Sequence, residues 1–216
     1  GPILLGPELK EKFPSIEKQS RVELYDGSVK FGQNVFQERI AFVDQDFMQM
    51  FDFPMLIGNK GALNQKNNII ISSLMADKYF ADDDPIGQTI SIKFDGQTIQ
   101  SYTVTGVLNK PPSTASFYFN FIIGIENYFN LKPDKVFDWS DYTDALFVQF
   151  QKGHRPNEIS DQMPIYVKIQ NESSFTETTV IERFGYELAE ISDMPFAYPF
   201  SNPLTYSWEG GETVVN

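Results

Sequence analysis

From Thr89 to Val107 the sequence TISIKFDGQTIQSYTVTGV leaves the backbone few choices. Ile90, Ile92 and Phe94 alternate with polar residues, Asp95-Gly96 supplies a turn, and Tyr102 and Val104 alternate back. A period of two puts one apolar face on each arm, and Asp-Gly accepts the positive φ angles of a tight reversal. The stretch therefore predicts an antiparallel β-hairpin with one buried side.

The residues leading into this hairpin are nearly as constrained. In FVDQDFMQMFDFPML, Asp44 is placed to cap a short helix, with Val43 and Met48 as a hydrophobic staple across its first turn. Phe47 and Phe51, four apart, share one face of that helix, and Pro54 and Gly58 stop it. Ile69-Ile70-Ile71 is a β-branched run suited to a buried strand. Ser72 or Ser73 caps the next helix, LMADKYFA, which pairs Met75 with Tyr79 and Ala76 with Phe80. Asp82-Asp83-Asp84 and Pro85 then form a turn.

In this order the segments VDQDFMQMFDFPMLIGN, IIISSLMADKYFADDDPIGQTISI and YTVTGVLNKPP resemble the periplasmic core domain of MacB-like ABC transporter permeases, the FtsX superfamily, in its Bacteroidetes-type form. The resemblance is dense from about Val43 to Val107 and looser at GPELKEKFPSIEKQSRV and YELAEISDMPF. Three residues depart from the pattern: Met48 replaces a usual Phe, Ser73 a usual Glu, and Ala81 the Gly that usually ends the motif "YFG". None of them is a catalytic position of the family.

Length and composition suit one ordinary domain or two small subdomains. A chain of 216 residues buries most of its apolar surface, and 41% hydrophobic with 15% aromatic residues excludes general disorder. The 20 phenylalanines belong inside or on a partner-binding patch. A net charge of −12 argues against nucleic acid, whose affinity depends on cationic side chains, and against docking on an anionic membrane by charge. There is no cysteine, no apolar run long enough to span a bilayer, and no signal peptide. The leading Gly1-Pro2 fits a protease-cleavage scar.

In chain order, Pro7 to Phe13 predicts a short helix ended by Pro14, with Leu9 and Phe13 on one face. Arg21 to Tyr25 predicts a strand with Val22 and Leu24 inward, Asp26-Gly27 a turn, Val29 to Phe31 a second strand and Glu38 to Val43 a third. After Val107, NKPPSTAS is a loop by composition and Phe117 to Ile125 a buried strand. Tyr128 to Asp144 is polar and carries Phe129, Phe137 and Trp139 as anchors, without a readable element. Ala145 to Phe150 predicts a strand, and Pro156 to Ile169 a helix interrupted at Pro164. Glu187 to Ile191 predicts a last strand, followed from Ala197 by an aperiodic tail.

Chemistry is sparse. One histidine and no cysteine leave little for zinc, haem or Cys-His arrangements, and His154 lies in a turn-like KGHRPNE. No nucleophile elbow, Walker loop or G-x-G-x-x-G occurs. Asp82-Asp83-Asp84 lacks the alternate spacing and trailing Glu of a calcium loop. A carboxylate pair for glycoside hydrolysis is not signalled by any motif among the 29 acidic residues. Asn171-Glu172-Ser173 is a formal glycosylation sequon that arises by chance. Phe117 to Phe121, or Phe196, Tyr198 and Phe200, read either as core or as a docking surface. No catalytic, cofactor-binding or metal-binding residue is expected.

The resemblance implies an α+β fold with two subdomains. Residues 3–38 and 118–216 would form a porter-like α/β part, and 39–117 an inserted, mainly-β part. It also implies a periplasmic domain of an inner-membrane permease that dimerises and answers to a cytoplasmic ATPase. Transmembrane helices would flank the chain. A periplasmic adaptor and an outer-membrane channel are implied partners, and peptides, antibiotics or lipoproteins the implied cargo classes. Two other readings remain open: a regulatory scaffold that controls a cell-wall hydrolase, and a free-standing enzyme or ligand-binding domain.

Overall fold

A computed structural model describes residues 1–94, 98–110 and 118–174. In chain order the elements are α1 (Leu5–Lys12), β1 (Ile16–Phe31), β2 (Asn34–Val43), α2 (Phe47–Met50), β3 (Met55–Ile57), β4 (Asn68–Ser72), α3 (Ser73–Phe80), β5 (Thr89–Phe94), β6 (Thr98–Leu108), β7 (Phe121–Gly124), α4 (Glu126–Leu131), β8 (Ala145–Phe150), α5 (Asn157–Ser160) and α6 (Met163–Ser174). The fold is α+β, and all eight strands belong to one sheet.

Six of those strands close on themselves. The pairings run β1–β2, β2–β7, β7–β4, β4–β6, β6–β5 and β5–β1, which completes a ring. The β2–β7 and β4–β6 pairs are parallel and the others antiparallel. Every strand of the ring sends alternate residues to one side, as the pleat requires. Val29, Ile40, Phe42, Ile69, Ile71, Ile92, Phe94, Val104, Phe121 and Ile123 meet there in one buried cluster. The β5–β6 hairpin pairs Ile90 with Tyr102 and Phe94 with Thr98, as the alternation predicts; its turn residues Asp95-Gly96 lie outside the described residues.

Helices stopper both ends of this barrel. At the β1–β2 hairpin tip, α3 inserts Met75, Tyr79 and Phe80, with the Phe80 ring tilted against Phe31 at 4.3 Å and Tyr79 edge-on to Phe36 at 5.6 Å. At the opposite end α4 inserts Tyr128, whose ring lies 5.9 Å from Phe42 and 6.4 Å from Tyr25. Ser72 caps α3 by accepting from the Met75 amide at 3.1 Å, as expected.

The outward side of the barrel is apolar too. Val22, Ala41, Val43, Ile70, Leu108 and Ile122 pack under α2 and the loop that carries Ala62 and Leu63. Phe47 and Phe51 share a face, as their spacing predicts, with centroids 4.9 Å apart. Below the ring, β8 pairs with the first half of β1. Leu146, Val148 and Phe150 face a third cluster made by Leu5, Leu9 and Phe13 of the α1 region and Ile159, Met163 and Tyr166 of α5 and α6.

Several expectations are corrected. Arg21 to Phe31 is not two strands: β1 runs unbroken through Asp26-Gly27, and the reversal comes at Gly32, whose φ is +57°. Gly27 is required for space, since a Cβ there would lie 2.8 Å from Ile92 Cγ2 inside the barrel. The α2 helix ends at Met50, before Pro54. Phe117 to Ile125 shortens to β7, and the 156–169 helix divides into α5 and α6, with Pro164 in the first turn of α6 where a missing N–H costs nothing. The unreadable 128–144 stretch holds α4 and a single 3-10 turn, Pro133–Lys135. Most of NKPPSTAS, Phe117, the Glu187 to Ile191 strand and the tail lie outside the described residues.

Ala81 follows α3 with φ 53° and ψ −113°, the one positive φ borne by a non-glycine among the described residues. This is the position at which the resemblance has glycine. A Cβ in that conformation is strained by about 1–2 kcal/mol. Ala81→Gly is expected to stabilise the domain by about 1 kcal/mol, after the greater entropy of unfolded glycine is subtracted. Urea unfolding with an unchanged m-value would measure it.

Candidate functional site

The residues singled out for chemistry lie apart. His154 is exposed and pairs Nδ1 with Glu158 Oε2 at 2.7 Å, one turn along. Asp82, Asp83 and Asp84 are exposed in the turn after α3, where Asp84 Oδ1 accepts from the Ile86 amide. Asn171 lies on α6. Phe119 and Phe121 are buried in the core, so this part of the aromatic run is packing, whereas Phe196, Tyr198 and Phe200 lie outside the described residues. Among the described residues, no group of three or more His, Asp or Glu is arranged to hold a metal ion.

Polar groups do converge at one place, the α4 end of the barrel, where β1 passes from the β8 layer into the ring. Val22 and Leu24 read as inward, which would leave Arg21 and Glu23 to solvent; instead both faces of β1 are covered here. Arg21 and Glu23 are 8% and 5% exposed. Asp44, expected to cap α2, instead takes a two-pronged bond from Arg21: Nε to Oδ2 at 2.9 Å and Nη2 to Oδ1 at 2.8 Å. It also accepts the Arg21 amide at 2.8 Å. The same guanidinium donates from Nη1 to the Ile3 carbonyl at 3.1 Å and lies 5.2 Å over the Phe129 ring.

Glu23 stands two residues along the same face. Its Oε1 is buried and has no hydrogen-bond partner among the described residues. Burial pushes the Glu23 carboxyl up to about 8; Thr143 and Arg21 oppose the rise, and Asp144 and Asp141 add to it. Asp144 accepts the Leu24 amide at 2.7 Å, yet burial raises it as well. Burial also raises the Tyr128 hydroxyl above it, with Glu23 contributing. Such a group can store a proton near neutrality. No alternation rule reveals it, because Arg21 and Glu23 look like the wet side of a half-buried strand.

Two outcomes follow. Arg21→Ala leaves Asp44 and the Ile3 carbonyl without their partner in a part-buried setting, and is expected to cost about 3–5 kcal/mol in denaturant unfolding. For Glu23, the folded chain keeps between about pH 4.5 and 8 a proton that the unfolded chain has lost. Its contribution to stability therefore falls as pH rises through that window, by roughly 1.4 kcal/mol per pH unit at most, and is flat above it. Glu23→Gln should remove this slope and raise the melting temperature at pH 8 relative to the parent chain, read by thermal scans across the window.

The comparisons with known proteins fit this architecture. The model of the MacB-like periplasmic core domain family matches residues 4–166. Among solved structures, a domain of a putative permease from Porphyromonas gingivalis superimposes with a TM-score of 0.62 at 19% identity, covering 88% of this chain and 83% of that one. The periplasmic region of MacB from Actinobacillus actinomycetemcomitans gives 0.57 at 11% identity, over 78% and 74% of the two chains. The extracellular domain of the noncanonic ABC-type transporter YknZ from Gram-positive bacteria gives 0.53 at 14% identity, over 75% and 78%. No curated protein matches the sequence. The likeness of these structures is one of fold, and the family match covers all three segments in which the sequence resemblance is dense; the chain belongs to the family of MacB-like periplasmic core domains.

Proposed function

We propose that this chain is the periplasmic part of an ABC transporter permease and acts as a mechanical transmitter, not as an enzyme. A cytoplasmic ATPase would supply the work through membrane helices of the parent protein, and paired copies of the permease would move against one another. A periplasmic adaptor and an outer-membrane channel are the partners this reading assigns, with peptides, antibiotics or lipoproteins as cargo. The observation that carries the reading is the family match over residues 4–166. The build of β1 supports it. Its 16 residues, about 50 Å of extended backbone, belong both to the β8 layer and to the closed barrel. A push delivered to the first half of such a strand reaches the second half without an intervening hinge, so the domain moves as a rigid body.

The same reading divides the chain into a porter-like part, 3–38 with 118–216, and an inserted part, 39–117. The separate apolar cluster of α1, β8, α5 and α6 supports a part with its own core.

The absence of cysteine from this chain helps a direct test, since an introduced thiol is then unique within it. Phe137 is 85% exposed, so Phe137→Cys accepts a spin label without disturbing a core. In the reconstituted parent permease with its ATPase, the distance between labels in the paired copies is expected to change by several ångströms between the nucleotide-free and ATP-trapped states. Transport with an unchanged label distance would overturn the transmitter reading.

A further inference from the structure

The outside of the barrel is covered on one side only. Under α2 and the loop of Ala62 and Leu63 it is apolar and buried. The second half of β1, the first halves of β2 and β6, and β5 instead turn their outer side to solvent. Register fixes which residues stand there. Val29 and Ile92 oppose one another inside the barrel, so their neighbours Ser28, Lys30, Ser91 and Lys93 point outward. Lys30 opposes Ser91 and Ser28 opposes Lys93, which sets the two lysines on one diagonal and the two serines on the other. The same rows end at Val35 on β2 and Ile99 on β6, 53% and 64% exposed.

Like charges side by side on a sheet repel, and a chain with a net charge of −12 has acids to spare for them. Other cations are matched: Lys10 with Asp46, Lys60 with Asp52 and Lys78 with Glu38. Lys30 and Lys93 have no ion pair or hydrogen bond among the described residues. The converse lies on the same line of surface. Asp82 and Asp83 are exposed, and their carboxylates take no partner among the described residues either. Their turn leads through Pro85 to Gly87 and Gln88, which continue the line of β5: Gly87 donates its amide to the Val104 carbonyl at 2.8 Å, and Val104 donates to the Gln88 carbonyl at 2.9 Å. Unmatched acids, an exposed stretch from Gly87 to Thr89 and unmatched bases thus follow one another along β5. Gly87 leaves this stretch open, since a Cβ there would meet no atom.

We propose that this flank of β5 is a contact face for a second copy of the chain, with a two-fold axis near Gly87–Thr89, so that Lys30 and Lys93 of each copy meet Asp82 and Asp83 of the other. An isologous contact satisfies both patches twice over. It sets opposite charges together where each copy alone has like charges side by side, and it gives Val35 and Ile99 a surface to lie against. An acidic partner of another kind would answer the lysines and leave the aspartates as they are. Two acidic chains repel at a distance, but salt screens that repulsion beyond about 8–10 Å, and the facing charges then decide. The contact does not rest on the transmitter reading, because it is measured in solution without membrane or ATPase.

Sedimentation equilibrium of the 216-residue chain tests it. A reversible dimer is expected at concentrations up to about 1 mM, weakening by about tenfold or more between about 50 and about 500 mM salt. The double variants Lys30→Glu with Lys93→Glu, and Asp82→Lys with Asp83→Lys, should each dimerise at least about tenfold more weakly. Mixed in equal amounts they should pair with one another, since each supplies the charge that the other has reversed. The aspartate variant separates a fitted contact from net charge: it lowers the overall repulsion, so repulsion alone would make it associate more tightly. The proposal is overturned if the parent stays monomeric, if either variant associates as tightly as the parent, or if the mixture stays monomeric. Should a variant not fold, the amide NMR shifts of the parent on raising its concentration decide. Shifts centred on Asp82 to Lys93 support the face, and shifts centred elsewhere sink it.

Discussion

Ten consecutive residue pairs join β1 to β2, from Val22↔Val43 to Phe31↔Asn34, and the rest of the fold depends on that ladder. It is a local antiparallel seam flanked on both sides by long-range ones, β2–β7 and β5–β1. Without it the ring opens into a sheet whose two edges carry unpaired backbone groups, and Val29, Ile40 and Phe42 lose their shared interior. Backbone bonds contribute modestly when exchanged for water, but a buried one left unmade costs about 1–3 kcal/mol. Closure removes that cost along the whole seam at once. This explains how β1 can run for 16 residues through Asp26-Gly27, a dipeptide that elsewhere reverses a chain.

The local part of this structure was legible, and the reasons are physical. The hairpin from Thr89 to Leu108, the Ile69–Ile71 strand and the Ser72 cap of α3 are each decided by neighbours within a few residues. Side-chain periodicity and a cap's own hydroxyl act at that range. Misreadings occur where a distant partner decides. Asp44 has the right spacing to cap a helix, but Arg21 brings its backbone amide and a two-pronged guanidinium to that carboxylate across the β1–β2 pair, and the fork holds both oxygens. Asp26-Gly27 has turn chemistry, yet the ring needs a residue without a Cβ where Ile92 and Phe94 crowd β1. The ring itself was not readable, because closure joins residues about eighty positions apart, such as Ala41 with Ile122.

The polar strip at the α4 end was hidden for a related reason. In a strand with one wet face, Arg21 and Glu23 would be ordinary surface residues beside Val22 and Leu24. They become buried because β1 leaves a two-layer region and enters a barrel stoppered by Tyr128, so both of its sides are covered in turn. Arg21 is then fully occupied by Asp44 and Ile3, whereas Glu23 has Thr143 and two like charges. One face of one strand thus carries a satisfied ion pair and, two residues on, a carboxyl that keeps its proton. That contrast, not any conserved motif, sets the strip apart from the rest of an acidic surface.

The two parallel seams also constrain how such a chain can be made. Parallel neighbours cannot be joined by a tight turn, so β2 waits for β7 and β4 for β6. A chain growing from its N-terminus carries the Ile69–Ile71 run long before Phe121–Gly124 exists to cover its second edge. Through that interval this β-branched, uncharged run is half-sheltered at best. The ring acquires its last stave, β7, only about fifty residues after β4, and until then the open strand edges have to be sheltered from those of other copies.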